Sequence, residues 1–316
     1  MSIYVSGSLA FDRIMTFPGN FQDHILMDKL HQINVSFMVD CMDERRGGCA
    51  GNIAWSLALL GEKPLIVSCA GRDFDHYAKV IQKQGLPLDG IRRDNGLFTA
   101  LCYITTDLNG NQITCFYPGA MATPADFAFD FLNPETDLAI VSPGNMDDMR
   151  RLSDLFRQAG VRYIYDPGQQ LPVLSADDLL RAVEGSFACI TNEYELKMIC
   201  KTTGKSEDEL LGRTMWLVTT LGAQGVLVRG ADGSETHIPA VALKTVTDPT
   251  GAGDAHRAGL IKGLVHGISM PEAAKLGAVC ASFALEHMGT QEHKFMASQF
   301  KKRYEEVFGP LSIPLR

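Results

Sequence analysis

Residues 248–254 read Asp-Pro-Thr-Gly-Ala-Gly-Asp, and Ala-His-Arg-Ala-Gly-Leu follows to residue 260. A residue before proline is pushed away from helical geometry, so a helix is expected only beyond Pro249. Gly251 and Gly253 keep that start free of side chains, and Ala252–Leu264 can continue as a helix of small and apolar residues. Such a start presents several unpaired N–H groups at the positive end of the macrodipole. It suits phosphate oxygens or a developing oxyanion. Asp254 falls in the first turn, where the same field keeps it ionised and able to accept a proton. An anion hole of Gly251, Ala252 and Gly253 beside a carboxylate base suggests phosphoryl transfer to a hydroxyl. Two other glycine-rich devices fail on spelling. A dinucleotide fingerprint needs a third glycine where His256 stands, and a Walker A loop ends in Gly-Lys-Ser/Thr where this one ends in Gly-Asp-Ala.

Five further stretches could hold a ligand. Asp12, in Gly7-Ser-Leu-Ala-Phe-Asp, comes a few residues past the first strand, where a carboxylate can hold two vicinal hydroxyls or simply cap a turn. Gly47-Gly-Cys-Ala-Gly-Asn52 lets a ligand touch the backbone, and an amide opening an apolar helix needs a partner. In Asn192-Glu-Tyr-Glu195 the asparagine can cap a helix, and the two residues together could organise the water shell of Mg²⁺. Thr219-Thr-Leu-Gly-Ala-Gln-Gly225 could pass nucleotide phosphates, and reads equally well as a β-hairpin turn. Asp166-Pro-Gly-Gln-Gln170 places two amides at a strand end.

The elements that must position these groups alternate. Ile3–Ser8, Leu65–Cys69, Leu138–Ser142, Tyr163–Asp166, Ala188–Thr191 and Trp216–Thr219 are apolar runs closed by polar residues, as parallel strands covered on both faces should be. Helical patterns lie between them at Gly51–Leu60, Phe74–Gln84, Asp147–Ala159, Asp177–Val183 and Glu193–Cys200. The expected fold is an α/β sheet flanked by helices, with ligands at the C-terminal strand ends. Ser206 with Glu209, and Ser269 with Glu272, are capping-box starts of two more helices. Two segments interrupt the alternation. Val35–Asp40 alternates like a strand, and Thr99–Thr106 with Gln112–Tyr117 reads as a hairpin turning at Asn109-Gly110. These antiparallel insertions, at about 13–46 and 97–120, are the expected material of a small β lid on a single domain spanning 1–316.

The chain has 316 residues, 46% hydrophobic and 21% charged, and carries a formal charge of −8. That balance argues against a nucleic-acid binder, which needs a basic face, so an anionic ligand must be met by local fields. No run is apolar for the length of a membrane span, and the opening Met-Ser-Ile-Tyr-Val lacks the basic region of a signal peptide. A cytoplasmic location is expected. None of the eight cysteines forms a Cys-x-x-Cys pair or stands at ligand spacing from a histidine, so a zinc site is not expected. His31, His256 and His287 read as packing or surface residues.

Gly47-Gly48 with Asn52, Asn192-x-x-Glu195 and Asp248-Pro-Thr-Gly-Ala-Gly-Asp254 together resemble the ribokinase-like (PfkB) kinase family over essentially the whole chain. Within that family the chain is most similar to bacterial adenosine kinases, in Gly7-Ser-Leu-Ala-Phe-Asp-Arg-Ile-Met-Thr-Phe-Pro-Gly, Val35-Ser-Phe-Met-Val-Asp, Phe116-Tyr-Pro-Gly-Ala-Met, Asp166-Pro-Gly-Gln-Gln and Gly289-Thr-Gln-Glu. The resemblance implies a three-layer fold with a β lid, and transfer of the ATP γ-phosphate to a nucleoside 5′-hydroxyl, adenosine giving AMP in purine salvage. Broader nucleosides, then fructose or ribose, are the alternatives. It further implies that Asp12, Ser8, Gly48 and Asn52 hold the ribose, that Ser36, Cys102 and Phe116 face the base, and that Gln169 and Gln170 reach the ligand. Asp254 would be the base beside the Gly251–Gly253 hole. Asn192, Thr220, Gly222 and Gly225 would lie on the ATP side, Glu195 would hold Mg²⁺ through water, and Asp248 would mark a potassium site. The expected partners are ATP and the nucleoside, with no nucleic acid or membrane, and the chain acts as a monomer or homodimer. Two residues depart from the pattern: Cys102 stands where an aromatic ring is expected, and His256 where phenylalanine is usual.

Overall fold

Strand β1 (Ile3–Ser6) is buried throughout, and its side chains alternate between two cores. The computed structural model describes residues 1–25 and 34–315. After β1 come β2 (Ala10–Thr16), β3 (Cys41–Gly47), α1 (Cys49–Leu59), β4 (Leu65–Gly71), α2 (Asp75–Lys83) and β5 (Ile91–Asp94). The hairpin β6 (Ala100–Thr106) and β7 (Gln112–Tyr117) precedes β8 (Leu138–Val141), α3 (Met146–Gln158), β9 (Arg162–Tyr165) and α4 (Ala176–Val183). Next are β10 (Ala188–Asn192), α5 (Glu193–Thr203), α6 (Glu207–Leu211), β11 (Trp216–Thr220), β12 (Val226–Gly230) and β13 (Glu235–Ile238). Helices α7 (Ala252–Val265), α8 (Met270–Leu285) and α9 (Ala297–Phe308) complete the chain.

The main sheet has nine strands in the order β13-β12-β11-β10-β9-β8-β1-β4-β5. From β11 to β5 every pairing is parallel, and β12 pairs antiparallel with both β11 and β13. Ile3 and Val5 of β1 pack with Ile53 of α1 and Leu260 and Ile261 of α7 on one face. Tyr4 packs with Phe156 of α3, Leu179 of α4 and Leu196 of α5 on the other. This three-layer arrangement matches the expected class, because a parallel sheet must be covered on both faces. The C-terminal ends of β1, β9, β10 and β11 share one edge, which brings Ser8, Asp166, Asn192 and Thr220 toward the start of α7.

A second sheet of four strands, β3-β2-β6-β7, stands apart from the first. The hairpin formed as expected, but the strand at Val35–Asp40 did not. Residues 34–39 have no regular structure, although Val35, Phe37 and Val39 are more buried than their neighbours. Their alternation reflects packing, as Phe37 lies against Phe17 and Phe21. The partner of β2 is instead the polar run Cys41–Gly47, in register from Ala10 opposite Gly47 to Thr16 opposite Cys41. Strand pairing there is driven by backbone hydrogen bonds and cross-strand ion pairs such as Arg13 with Glu44, which hydrophobic alternation does not report. His31 lies outside the described residues. Gly204-Lys205-Ser206 is no phosphate loop, since Gly204 closes α5 in the left-handed region and Ser206 caps α6. Among the described residues no helix is long and apolar enough to cross a membrane.

Candidate active site

The chain reaches α7 through Gly251, whose φ of 77° places it in the left-handed region that glycine adopts without strain. No side chain caps this helix; the Ala252 N–H donates to the Pro249 carbonyl at 3.3 Å, which leaves the N–H groups of Gly251 and Gly253 as those that could meet an anion. The mouth of α7 opens on a cavity of about 260 Å³ lined by Asn192, Glu195, Thr220, Gly253, Asp254 and Arg257 among others. Asp254 sits at its wall. Burial pushes its carboxyl up to about 6, against the pull of Arg257 and of a hydrogen bond from Asn52. The sequence suggested that the field at the helix start keeps this group ionised; in the structure desolvation is the largest influence and favours the protonated form.

Asn52, in the second turn of α1, is buried and both ends of its amide are engaged. Its Nδ2 donates to Asp254 Oδ2 at 2.8 Å, and its Oδ1 accepts from Gln291 Nε2 at 3.0 Å. Gln291 also donates to the Tyr77 hydroxyl, which in turn donates to the Gly47 carbonyl at 3.0 Å. A buried chain thus links the carboxylate of Asp254 to the backbone where β3 meets α1. The partner that the Asn52 amide required is the candidate base. Gly48, with φ of 90°, lets the chain turn into α1 where a Cβ would strike the Ser8 carbonyl. Ser8 serves that same turn, its Oγ accepting from Cys49 N at 3.0 Å.

Asp12 lies within β2 and not at a strand end, opposite Arg45 on β3 and Cys102 on β6, and Cys102 in turn is opposite Phe116 on β7. Asp12, Cys102 and Phe116 therefore form one rung across the second sheet, with their side chains on one face. Burial, with Asp248 nearby, pushes the Asp12 carboxyl up to about 6. Phe116 is 52% exposed. Ser36 is exposed on the irregular segment, and neither it nor Asp12, Cys102 or Phe116 is among the residues that line the cavity.

Of the two amides after Asp166, Gln169 lines the cavity and accepts from Cys49 Sγ at 3.3 Å. Gln170 turns away, its Nε2 donating to the Gly144 carbonyl at 2.5 Å, which removes it from the ligand-facing set. Asn192 and Glu195 form a reciprocal capping box, each backbone N–H bonded to the other's side chain at 2.8 Å. Capping thus accounts for both residues, including the placement of Glu195 that sequence alone did not explain. Burial raises the Glu195 carboxyl, and only one of its oxygens is engaged in the cap. Thr220 lines the cavity, whereas Gly222 and Gly225 belong to the turn joining β11 to β12. At Gly225 a Cβ would lie 2.0 Å from the Ile238 carbonyl, and at Gly222 it would meet open space. Asp248 accepts from Thr250 N and from Gly289 N, both at 2.9 Å, tying its loop to the segment after α8. Burial acts to raise its carboxyl, but those hydrogen bonds outweigh it and hold the group below the usual range.

Arg257 was not singled out by the sequence. It follows Asp254 by three residues and so lies on the same face of α7. It is 7% exposed and bonds through Nε and Nη2 to Asp166, which is 2% exposed. Burial opposes its charge, but Asp166 more than compensates and keeps the guanidinium protonated. His256 next to it is buried against Gly277 of α8, where any Cβ would meet its ring at 2.7 Å. Burial, reinforced by Arg257, lowers its imidazole to about 3, so it is a neutral packing group.

Comparison with known proteins agrees with this geometry. The sequence profile of pfkB family carbohydrate kinases matches residues 16–295. A nucleoside kinase of Methanocaldococcus jannaschii is 29% identical over 271 residues, covering 84% of this chain and 87% of that protein. A fructokinase of Solanum tuberosum is 28% identical over 69% of this chain and 71% of its own length. The solved structure of a Burkholderia thailandensis nucleoside kinase in complex with inosine is 38% identical, covers 98% of each chain and superposes with a TM-score of 0.85. The three-layer sheet is thus the ribokinase-like fold, and the chain belongs to the pfkB family of carbohydrate kinases.

Proposed function

We propose that this protein transfers the γ-phosphate of ATP to the 5′-hydroxyl of a purine nucleoside, with adenosine as the first candidate. The observation that carries the reading is the start of α7, which no side chain caps, with Asp254 in its first turn; Asp12, Cys102 and Phe116, lined up on one rung of the second sheet, support it. Asp12 would accept hydrogen bonds from the ribose hydroxyls, and the apolar end of the rung would meet the base. A hydroxyl-only sugar offers that end nothing to pack on. In the reaction the nucleoside oxygen bonds to the γ-phosphorus while the bond to the ADP oxygen breaks, its electron pair staying with ADP. The proton passes to Asp254, and the N–H groups of Gly251 and Gly253 stabilise the charge on the transferring group. A carboxyl at about 6 suits the task, being ionised at neutral pH yet basic enough to take a proton.

The donor set fits a magnesium ion brought with ATP. Among the described residues no cluster of three or more His, Cys, Asp or Glu is arranged to hold a metal directly. Mg²⁺ keeps several waters beside phosphates, and the raised, half-engaged carboxylate of Glu195 would meet that water shell. When bound, the ion would neutralise phosphate charge. Asp248 is our candidate for a monovalent cation, testable by comparing rates in potassium and in a bulky organic cation.

A broader nucleoside range is the second reading. Cys102 favours it, since a thiol on the rung grips the base less than a ring, and the relative solved with inosine accommodates a different purine. ADP release coupled to a spectroscopic readout, across adenosine, inosine, guanosine, cytidine, ribose and fructose, ranks these readings. Purine nucleosides should lead. Turnover confined to ribose or fructose would overturn the proposal.

A further inference from the structure

Arg257 occupies an unfavourable place for a cation. Side chains on a helix lean toward its N-terminus, so a guanidinium three residues past Asp254 is carried back to the first turn of α7. There the macrodipole is positive and disfavours it. Asp166 bonds two of its three nitrogens from the neighbouring β9 end. The third, Nη1, makes no hydrogen bond among the described residues, and lies 2.9 Å from where a Cβ on Gly253 would stand. The residue lines the cavity while being 7% exposed. Asp166 offsets the charge but leaves this one nitrogen to the cavity, where it can donate to a ligand. Placed beside the free N–H of Gly253, that ligand is an anion.

We infer that Arg257 is a catalytic residue, whose Nη1 bonds a non-bridging oxygen of the phosphoryl group as it passes from ATP to the nucleoside. Asp166 is the positioning residue that fixes the plane of the guanidinium. The charge on the transferring oxygens is spread as the group leaves ADP, so a donor fixed at that point stabilises the transition state more than bound ATP. Gly253 is glycine for the same reason, because a Cβ there would displace Nη1. The inference rests on the phosphoryl-transfer reading above.

The test uses ADP, nucleoside and aluminium fluoride, a mimic of the transferring group, with binding measured by calorimetry. Wild-type turnover of a nucleoside is the control for the underlying reading, whose failure would show there alone. Aluminium fluoride should tighten ADP binding to the wild-type protein in the presence of nucleoside. In Arg257→Lys, which keeps the charge and loses the planar fork, that gain should shrink by about tenfold or more. Binding of ADP alone and of nucleoside alone should stay within about twofold, and kcat should fall with KM little changed. If Arg257→Lys fails to fold, Arg257→Met with Asp166→Leu replaces the whole pair by apolar side chains, an exchange that buried ion pairs often tolerate, and the same loss is expected. A gain equal to wild type in either folded variant would reduce Arg257 to a structural residue.

Discussion

The two regions that the proposed function makes walls of one site are built on opposite terms. On one, α1 and α7 meet through a largely buried hydrogen-bond chain, from Gly47 through Tyr77, Gln291 and Asn52 to Asp254. On the other, the rung of Asp12, Cys102 and Phe116 crosses a sheet whose last strand, β7, is exposed along its whole length. The first wall holds its geometry before any ligand arrives, which phosphoryl transfer needs, because positioning and charge placement make up most of that catalysis. The second would complete its contacts only on the ligand, as a lid that excludes water would do. The difference teaches that loss of a residue on the first wall should show in kcat, and loss on the second in KM.

The largest effect is expected on the first wall. Asp254→Asn keeps the shape and removes the proton acceptor, so kcat should fall by at least about 10²-fold while nucleoside binding survives. Near-normal turnover of the folded variant would remove Asp254 from that role. The raised carboxyl also carries a stability sign. A folded-state value near 6, above the unfolded carboxylate range near 4, means the native state holds its proton more tightly. Stability is therefore lost as pH rises from about 4 to about 6, and the loss is complete above that. Asp254→Asn should melt at a higher temperature than wild type at pH 7 to 8, and the two should converge toward pH 4. Identical melting at every pH would mean that the carboxyl titrates normally.

Asp12 should give the next effect, and on KM. Asp12→Ala loses charge-assisted hydrogen bonds worth roughly 1.5–3 kcal/mol, or about 10- to 150-fold in nucleoside affinity, with ATP affinity little changed. A 2′,3′-dideoxynucleoside should bind the wild type poorly and be almost indifferent to the substitution. Because its carboxyl is also raised to about 6, nucleoside KM should worsen as pH falls through that value, and Asp12→Asn should flatten this limb. Equal losses for nucleoside and ATP would make Asp12 a residue of the fold. The smallest effects belong to the far end of the rung. Phe116→Ala should weaken the nucleoside several-fold, and Cys102→Phe should tighten it by less, on the scale of about 0.5–1.5 kcal/mol for an aromatic contact. Unchanged affinity in Phe116→Ala would separate the rung from the base.

The same two walls differ in how legible they were. Buried parallel strands announce themselves as apolar runs, and a glycine-rich turn before a helix has few readings, so six strands of the main sheet and the start of α7 could be placed from residue types, whereas the partly exposed strands at its two ends, β5, β12 and β13, were missed. The second sheet could not be placed in full. Its β3 is the polar Cys41–Gly47 run, and the alternation nearby belongs to Val35, Phe37 and Val39 packing without a strand partner. Side-chain partnerships across the chain were also beyond reach. Gln170 bonds the Gly144 carbonyl, Ser8 caps α1, and Gln291 meets Asn52 across 239 positions. Arg257 had one available signal, its three-residue spacing from Asp254 on a helix face. Its meaning needed Asp166, which is 91 positions away.

The central claim is that a nucleoside 5′-hydroxyl is the acceptor and Asp254 takes its proton. The most direct measurement is ADP release with adenosine and with 5′-deoxyadenosine, run side by side at saturating ATP and magnesium, with binding of each measured separately. The two should bind alike, since both carry the ribose hydroxyls and the base. Only adenosine should drive ADP release above the rate without acceptor, and Asp254→Asn should abolish that difference. Equal ADP release from the two nucleosides, or none from either while both bind, would contradict the claim.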